Sequence, residues 1–365
     1  MNNTTDFKIG LVGLTNVGKT TIYNLLTSSN STVQKYPFTT IDTNTNKLIS
    51  RDENVESLFK HFEIESKTHL ERKKIFLCDV AGLVRDSSKG NGLGNLFLNH
   101  FNKCDVIIHV VRNFECEEVT NTEDNIDPVR DIRIVETELV SFDISQLTKE
   151  INRSSNQKKE TLLKFKKYLA EKNHPMRLGE WNDEELLIIK ELNLLTMKPE
   201  IFLINVSEKD LTNTNDEKLI EIQDYVEKTT KDPIITFCPI QEQKFVNLGN
   251  EKEEMKEFTS KIPEFISTIL STMGLITVYL HCEEFVESYK IPVGTSLGKV
   301  AGLIHKMFEE KFLSANVYNI KDLNEYHDLN LIKENGRYFK KGKNEYAEDG
   351  DIITFNFSTE ENSNN

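Results

Sequence analysis

The chain has 365 residues, 38% of them hydrophobic, and a formal charge of -14. That length calls for two or three domains, and the charge argues against a protein that coats nucleic acid over its whole surface. The opening MNNTTDFK has no cationic stretch followed by an apolar one, and no run approaches 18 apolar residues, so neither a secretory signal nor a membrane span is expected. Cys78, Cys104, Cys116, Cys238 and Cys282 form no CxxC and no metal spacing, which fits a reducing, cytoplasmic compartment.

Residues Gly13 to Thr20, GLTNVGKT, match GxxxxGK[ST]. Ile9, Leu11 and Val12 predict a buried strand before the octet, and Ile22, Leu25 and Leu26 recur at helical spacing after it. A loop so placed turns backbone N–H groups toward phosphates. Lys19 is positioned to reach the β- and γ-phosphates, and the Thr20 hydroxyl to bind magnesium. In YPFTTIDTNT (Tyr36 to Thr45) a switch loop should supply a further Thr to magnesium, and Thr39 and Thr40 both qualify. KKIFLCDVAGL then places Asp79 at a strand end as the second magnesium anchor, with the Gly82 amide facing the γ-phosphate. The Gly-rich KGNGLGN (Lys89 to Asn95) is expected to be a mobile switch rather than a cofactor loop.

The runs DVIIHVV (Asp105 to Val111), EIFLINV (Glu200 to Val206) and DPIITFC (Asp232 to Cys238) are continuously apolar, as in parallel strands covered on both faces. His109, inside the first of them, is expected to be a hydrogen-bonded core residue. The fold class is therefore α/β: a P-loop NTPase with a doubly wound sheet and ligands at the C-terminal strand ends.

GTPases end the fifth such strand in NKxD, whose Asp accepts two hydrogen bonds from guanine. Here the segment is Asn205-Val206-Ser207-Glu208. One extra methylene displaces the carboxylate by about 1.5 Å, beyond what a bidentate hydrogen bond tolerates, and Val206 removes the Lys that packs along the base. The Asn205 amide and the Val206 backbone could instead satisfy adenine, so ATP is expected over GTP.

From Val129 to Lys198 the period becomes helical: Ile132, Val135, Leu139 and Phe142 form one stripe, and Leu162, Phe165 and Leu169 another. NRSSNQ turns between them, and Asn182 with Glu185 forms a capping pair for a third helix. This helical insert, a hairpin of coiled-coil type, carries 13 Lys/Arg and 12 Asp/Glu, with Lys158, Lys159, Lys164, Lys166, Lys167 and Lys172 concentrated on one stretch. Either a solvated face or an arm on ribosomal RNA suits that pattern. LITVYLH, VESYKI and DIITFNF are strands around an amphipathic helix near Ser296 to Phe308, and EDGD (Glu348 to Asp351) is a hairpin-type turn signal. The loop GRYFKKGK (Gly336 to Lys343) mixes basic and aromatic residues, suiting either an exposed hairpin or an RNA-stacking contact. His281 and His305 have no second ligand at metal spacing.

Together, GLVGLTNVGKTT, YPFTTIDTNT, DVAGLVRDSSKGNGLGNLFLNH, IDPVRDI and INVSEKD resemble the Obg-like ATPase (YchF) subfamily of translation-factor-related P-loop proteins. The likeness covers essentially the whole chain. It implies Mg2+-dependent ATP hydrolysis, a C-terminal TGS domain of β-grasp type, and association with the ribosome through insert and TGS domain, with no DNA partner. It further implies that Asn16, Val17, Gly18, Lys19, Thr20 and Thr21 wrap the phosphates, that Thr40 is the switch Thr on magnesium, and that Val206 meets adenine through its backbone. Two segments depart from the pattern: Thr15 stands where such loops usually carry Pro, and TFCPIQEQ near Cys238 matches the base loop poorly. The expected domains are 1–128 with 199–273 (NTPase), 129–198 (insert), 274–358 (TGS) and a disordered tail, 359–365.

Ras-type enzymes orient the attacking water with a Gln that is Leu83 in this chain, so slow turnover is expected. Asn16 either holds a K+ that stimulates hydrolysis or stabilises the loop as a turn former. A GTPase with a degenerate base motif, a non-hydrolysing nucleotide sensor or scaffold, and a metabolite kinase are the alternatives.

Overall fold

The structure, a computed structural model, describes residues 6–28, 44–48, 53–64, 68–79, 101–115, 125–211, 216–248, 258–282 and 285–358. Its strands are β1 (Phe7–Val12), β2 (Asn44–Lys47), β3 (Thr68–Arg72), β4 (Ile75–Asp79), β5 (Val106–Asn113), β6 (Glu200–Val206), β7 (Ile234–Phe237), β8 (Leu275–Cys282), β9 (Phe285–Pro292), β10 (Phe312–Asn319), β11 (Phe339–Lys341) and β12 (Asp351–Phe357). Two compact units divide the chain: Phe7–Ile49 with Ile75–Thr272, and Met1–Asp6 with Ser50–Lys74 and Met273–Asn365.

In the first unit six strands run in the order β2-β4-β1-β5-β6-β7. All neighbours are parallel except the edge strand β2, which is antiparallel to β4. β5 and β6 are buried at every position, which is why their sequences are apolar runs without alternation. Helix α1 (Lys19–Thr27) follows β1 directly and buries Ile22, Leu25 and Leu26.

The insert begins with the helix Pro128–Ile151, started by Asp127, whose carboxylate accepts from the Arg130 amide. Ile132 near its start packs with Val111, Phe202 and Ile204 of the sheet. Further along, Val140, Leu147 and Ile151 meet Leu162, Phe165 and Leu169 of the helix Asn156–Lys172. Met176, Ile189 and Leu194 close this small core, and Trp181 sets its ring edge-on to Phe165 and Tyr168. The capping box of Asn182 and Glu185 starts the helix Asp183–Leu192.

Buried polar groups tie insert to sheet. His109 Nδ1 lies 2.9 Å from Glu200 Oε1, while Arg177 donates to Glu200 Oε2 at 3.1 Å and also to Asp232. Asp143 accepts from the Leu195 and Thr196 amides and the Thr196 hydroxyl, and Lys198 donates to the carbonyls of Asn102 and Cys104.

The second unit is a six-stranded sheet of order β11-β10-β12-β8-β9-β3. Period-two alternation sends Val278, Leu280 and Ile353 to one face, under Leu297, Val300 and Ala301, and Tyr279 and Ile352 to the other. Val55 and Leu58 of the helix Glu53–His61 cover that second face, and β3 adds to its edge in parallel with β9. Residues 50–74, expected within the NTPase domain, therefore belong to the C-terminal unit. The single helix expected near Ser296 to Phe308 is two, Leu297–Ile304 and Lys306–Glu310, broken where His305 is extended. The turn at Glu348 to Asp351 leads into β12, but it closes no hairpin, because β11 and β12 both pair with β10 and not with each other.

Candidate functional site

The octet bends from β1 into α1 through two positions that need glycine. Gly13 has φ 152° and a Cβ there would lie 2.5 Å from the Val110 carbonyl; Gly18 has φ 101° and its Cβ would lie 2.3 Å from Asn205 Nδ2. Between them Asn16 is left-handed, at φ 62°, a conformation that Asn tolerates better than most residues. The N-cap of α1 is Gly18, which has no side chain to cap it, and no acid sits in the first turn, where Thr21 lies. A helix start whose N-cap is a glycine, with no acid in the first turn, is an arrangement that suits a bound anion.

Lys19 folds back under the loop and donates to the Gly13 carbonyl at 3.1 Å and the Leu14 carbonyl at 2.5 Å. Burial pulls its ammonium down to about 8, against the opposing charge of Asp79. The Thr20 hydroxyl donates to Asp79 Oδ2 at 2.8 Å. Asp79 is buried, burial pushes its carboxyl up, and Lys19 and Thr20 oppose that shift. Asp79 Oδ1 has no hydrogen-bond partner among the described residues. A carboxylate oxygen left bare beside a hydroxyl is a donor set that fits a hard cation such as Mg2+.

Asn205 and Val206 end β6, both buried. Asn205 Nδ2 donates to the Val17 carbonyl at 2.9 Å, so this amide holds the phosphate loop while its oxygen and its second N–H remain for other partners. Two residues on, Glu208 pairs with Lys244 at 2.6 Å. Lys244 was not foreseen: it lies on the helix Pro239–Asn247, after the segment that fits the base-loop pattern poorly, and nothing in its local sequence marks it. Lys19, Thr20 and Asp79 converge, Asn16, Val17, Gly18 and Thr21 line the same loop and helix start, and Asn205 reaches them from β6. Thr39, Thr40, Gly82, Leu83 and Lys89 to Asn95 lie outside the described residues.

Other candidates are partly engaged. Lys158 pairs with Glu191 at 3.0 Å and Lys164 with Glu185 at 2.5 Å, which neutralises part of the basic stretch. In GRYFKKGK, Tyr338 stacks on Tyr318 and Lys341 faces Asp351, while Phe339 is 48% exposed. His109 is buried against Glu200, and His281 stacks on Phe62 at 3.7 Å.

Phosphate is what a loop of this shape holds, and the first unit is the nucleotide-binding domain of a P-loop NTPase. The family described as 50S ribosome-binding GTPase matches residues 8–167, and the YchF-GTPase C-terminal family, described as a protein of unknown function, matches residues 275–358. Obg-like ATPase 1 of Pongo abelii is 35% identical over 374 residues, covering 97% of this chain and 93% of that protein. The Caenorhabditis elegans protein of the same name is 34% identical over 370 residues, with the same coverage. The structure of the Schizosaccharomyces pombe YchF GTPase superposes with a TM-score of 0.74 at 30% identity, covering 96% of this chain and 98% of that one. The chain belongs to the Obg-like ATPase (YchF) family.

Proposed function

We propose that the chain is a slow, Mg2+-dependent ATPase whose nucleotide state is read by the ribosome in the cytoplasm. The observation that carries the base assignment is Glu208, one methylene longer than Asp, at the guanine-reading position after Val206 in place of Lys; its carboxylate also lies 2.6 Å from Lys244. A carboxylate already engaged by a cation, and one methylene too long, is a poor acceptor for the guanine N1–H and N2–H pair. Adenine needs only an acceptor for N6 and a donor for N1, which the Asn205 oxygen and the Val206 backbone supply. Relatives named Obg-like ATPase 1 support the same choice.

Thr20, Asp79 and Thr40 would hold Mg2+, which supplies neutralisation of the phosphate charge when bound. Lys19 would bind the β- and γ-phosphates, the amides of Asn16 to Thr21 would wrap them, and the Gly82 amide would face the γ-phosphate. Leu83 offers the attacking water no hydrogen bond, which makes hydrolysis slow and the ATP state long-lived. Asn16 is the residue through which K+ would stimulate turnover. Ribosome contact is assigned to the insert and the C-terminal domain, where Lys159, Lys166 and the half-exposed Phe339 are candidates. Phosphate release followed over hours, against a Lys19→Ala control, tests hydrolysis: signal above the control supports it, and equal signal refutes it.

A further inference from the structure

Thr15 presents a problem that the site just described does not resolve. It is 7% exposed, and its hydroxyl has no hydrogen-bond partner among the described residues. A buried hydroxyl left unpaired is unfavourable, and native chains usually satisfy it with a water, an ion or a ligand. Asp79 Oδ1 is in the same condition. Both atoms belong to the one cradle: Asp79 receives the Thr20 hydroxyl at 2.8 Å, and Thr20 follows Lys19 in α1. The bare carboxylate oxygen is accounted for by a cation. The bare hydroxyl calls for a ligand oxygen.

Its place in the loop says which one. Lys19 Nζ marks the β/γ end of a bound triphosphate, and its closest acceptor is the Leu14 carbonyl at 2.5 Å. That carbonyl belongs to the same peptide unit as the Thr15 nitrogen, so Thr15 sits one residue from the ammonium. The inner phosphates of a bound nucleotide would lie toward the amides leading into α1, beyond the left-handed Asn16. We infer that the Thr15 hydroxyl donates to an oxygen of the terminal phosphate, so that Thr15 distinguishes triphosphate from diphosphate. A Pro at this position, usual in similar loops, has no hydroxyl to do this, so the contact is a property of this chain. It rests on the nucleotide-binding reading but not on the choice of base.

The test uses the full chain with Mg2+ and measures affinity for the β,γ-imido triphosphate and for the diphosphate, in both the adenine and guanine series. Thr15→Val keeps the shape and removes the hydroxyl. It should weaken the triphosphate analogue about tenfold, change diphosphate affinity less than twofold, and leave or raise the melting temperature of the nucleotide-free chain. Thr15→Ser should restore triphosphate affinity to within about threefold. Equal losses for both nucleotides, an unchanged ratio, or a Ser variant as weak as Val would overturn the inference. A guanine series that shows the Thr15 effect at higher affinity than the adenine series would keep Thr15 and remove the ATP assignment. Wild-type chain that binds no nucleotide, or binds it equally well as Lys19→Ala, would remove both.

Discussion

Asn205, at the end of β6, donates its side-chain amide to the carbonyl of Val17 at 2.9 Å, across a point where a Cβ on Gly18 would lie 2.3 Å away. The strand that carries the proposed base contact thus also holds the phosphate loop. Removing the amide leaves a buried carbonyl unpaired, at a cost of about 1–3 kcal/mol. Asn205→Ala should therefore weaken both nucleotides, GTP by roughly tenfold and ATP by more, because adenine also loses its N6 acceptor. A loss confined to ATP, measured by fluorescent-nucleotide displacement, would remove the loop-holding role, and equal losses would remove the base-reading one.

Glu208 and Lys244 form a half-exposed pair, with side chains 38% and 56% accessible, and such pairs are worth little in themselves. Lys244→Ala should change ATP affinity less than about threefold. The double variant Val206→Lys, Glu208→Asp restores the length and the Lys of a guanine motif. It should move the GTP/ATP affinity ratio toward GTP by tenfold or more, about 1.4 kcal/mol. An unmoved ratio would place the base discrimination elsewhere.

At the junction of insert and sheet, burial lifts Glu136 from its ordinary 4.5 to about 7, with the nearby Glu200 charge adding to the shift. Tyr225 OH donates to it at 2.6 Å and, with His109 and Arg177, opposes that rise. A carboxyl raised on folding binds more protons in the native state between those two values, so stability is greatest below pH 4.5 for this group and declines as pH rises to about 7. The decline is on the order of 3 kcal/mol at most. Glu136→Gln should flatten the pH dependence of the melting temperature over that window and raise it at pH 8. Parallel wild-type and variant curves would deny the shift.

Arg177 is the cation shared by Glu200 and Asp232. Burial works against its charge, but the two acids outweigh that and hold its pKa up. Arg177→Met leaves two carboxylates facing each other in a dry site, a loss of about 3–5 kcal/mol. The melting temperature should fall by on the order of 10 °C, and hydrogen exchange should quicken in β6 and the insert. A fall of only a degree or two would show the carboxylates to be paired by other means.

Much of this molecule was legible in its sequence because the signals are local. The octet, the apolar runs of β5 and β6, the stripes of Ile132 to Phe142 and Leu162 to Leu169, and the Asn182 capping box each declare themselves within a few residues. What stayed hidden depends on partners far along the chain. β3, THLER, is short and half-polar, and it is a strand only because β9 lies beside it, Thr68 opposite Phe285. The same holds for Lys244 beside Glu208 and for the second role of Asn205. Glu348 to Asp351 has the composition of a hairpin turn, yet composition fixes the turn and not the strand that follows it into the sheet.

Calorimetric titration of the wild-type chain with ATP and with GTP, each with Mg2+, tests the base assignment most directly. ATP should bind at least tenfold more tightly, a difference of about 1.4 kcal/mol. GTP binding tenfold more tightly than ATP would contradict it.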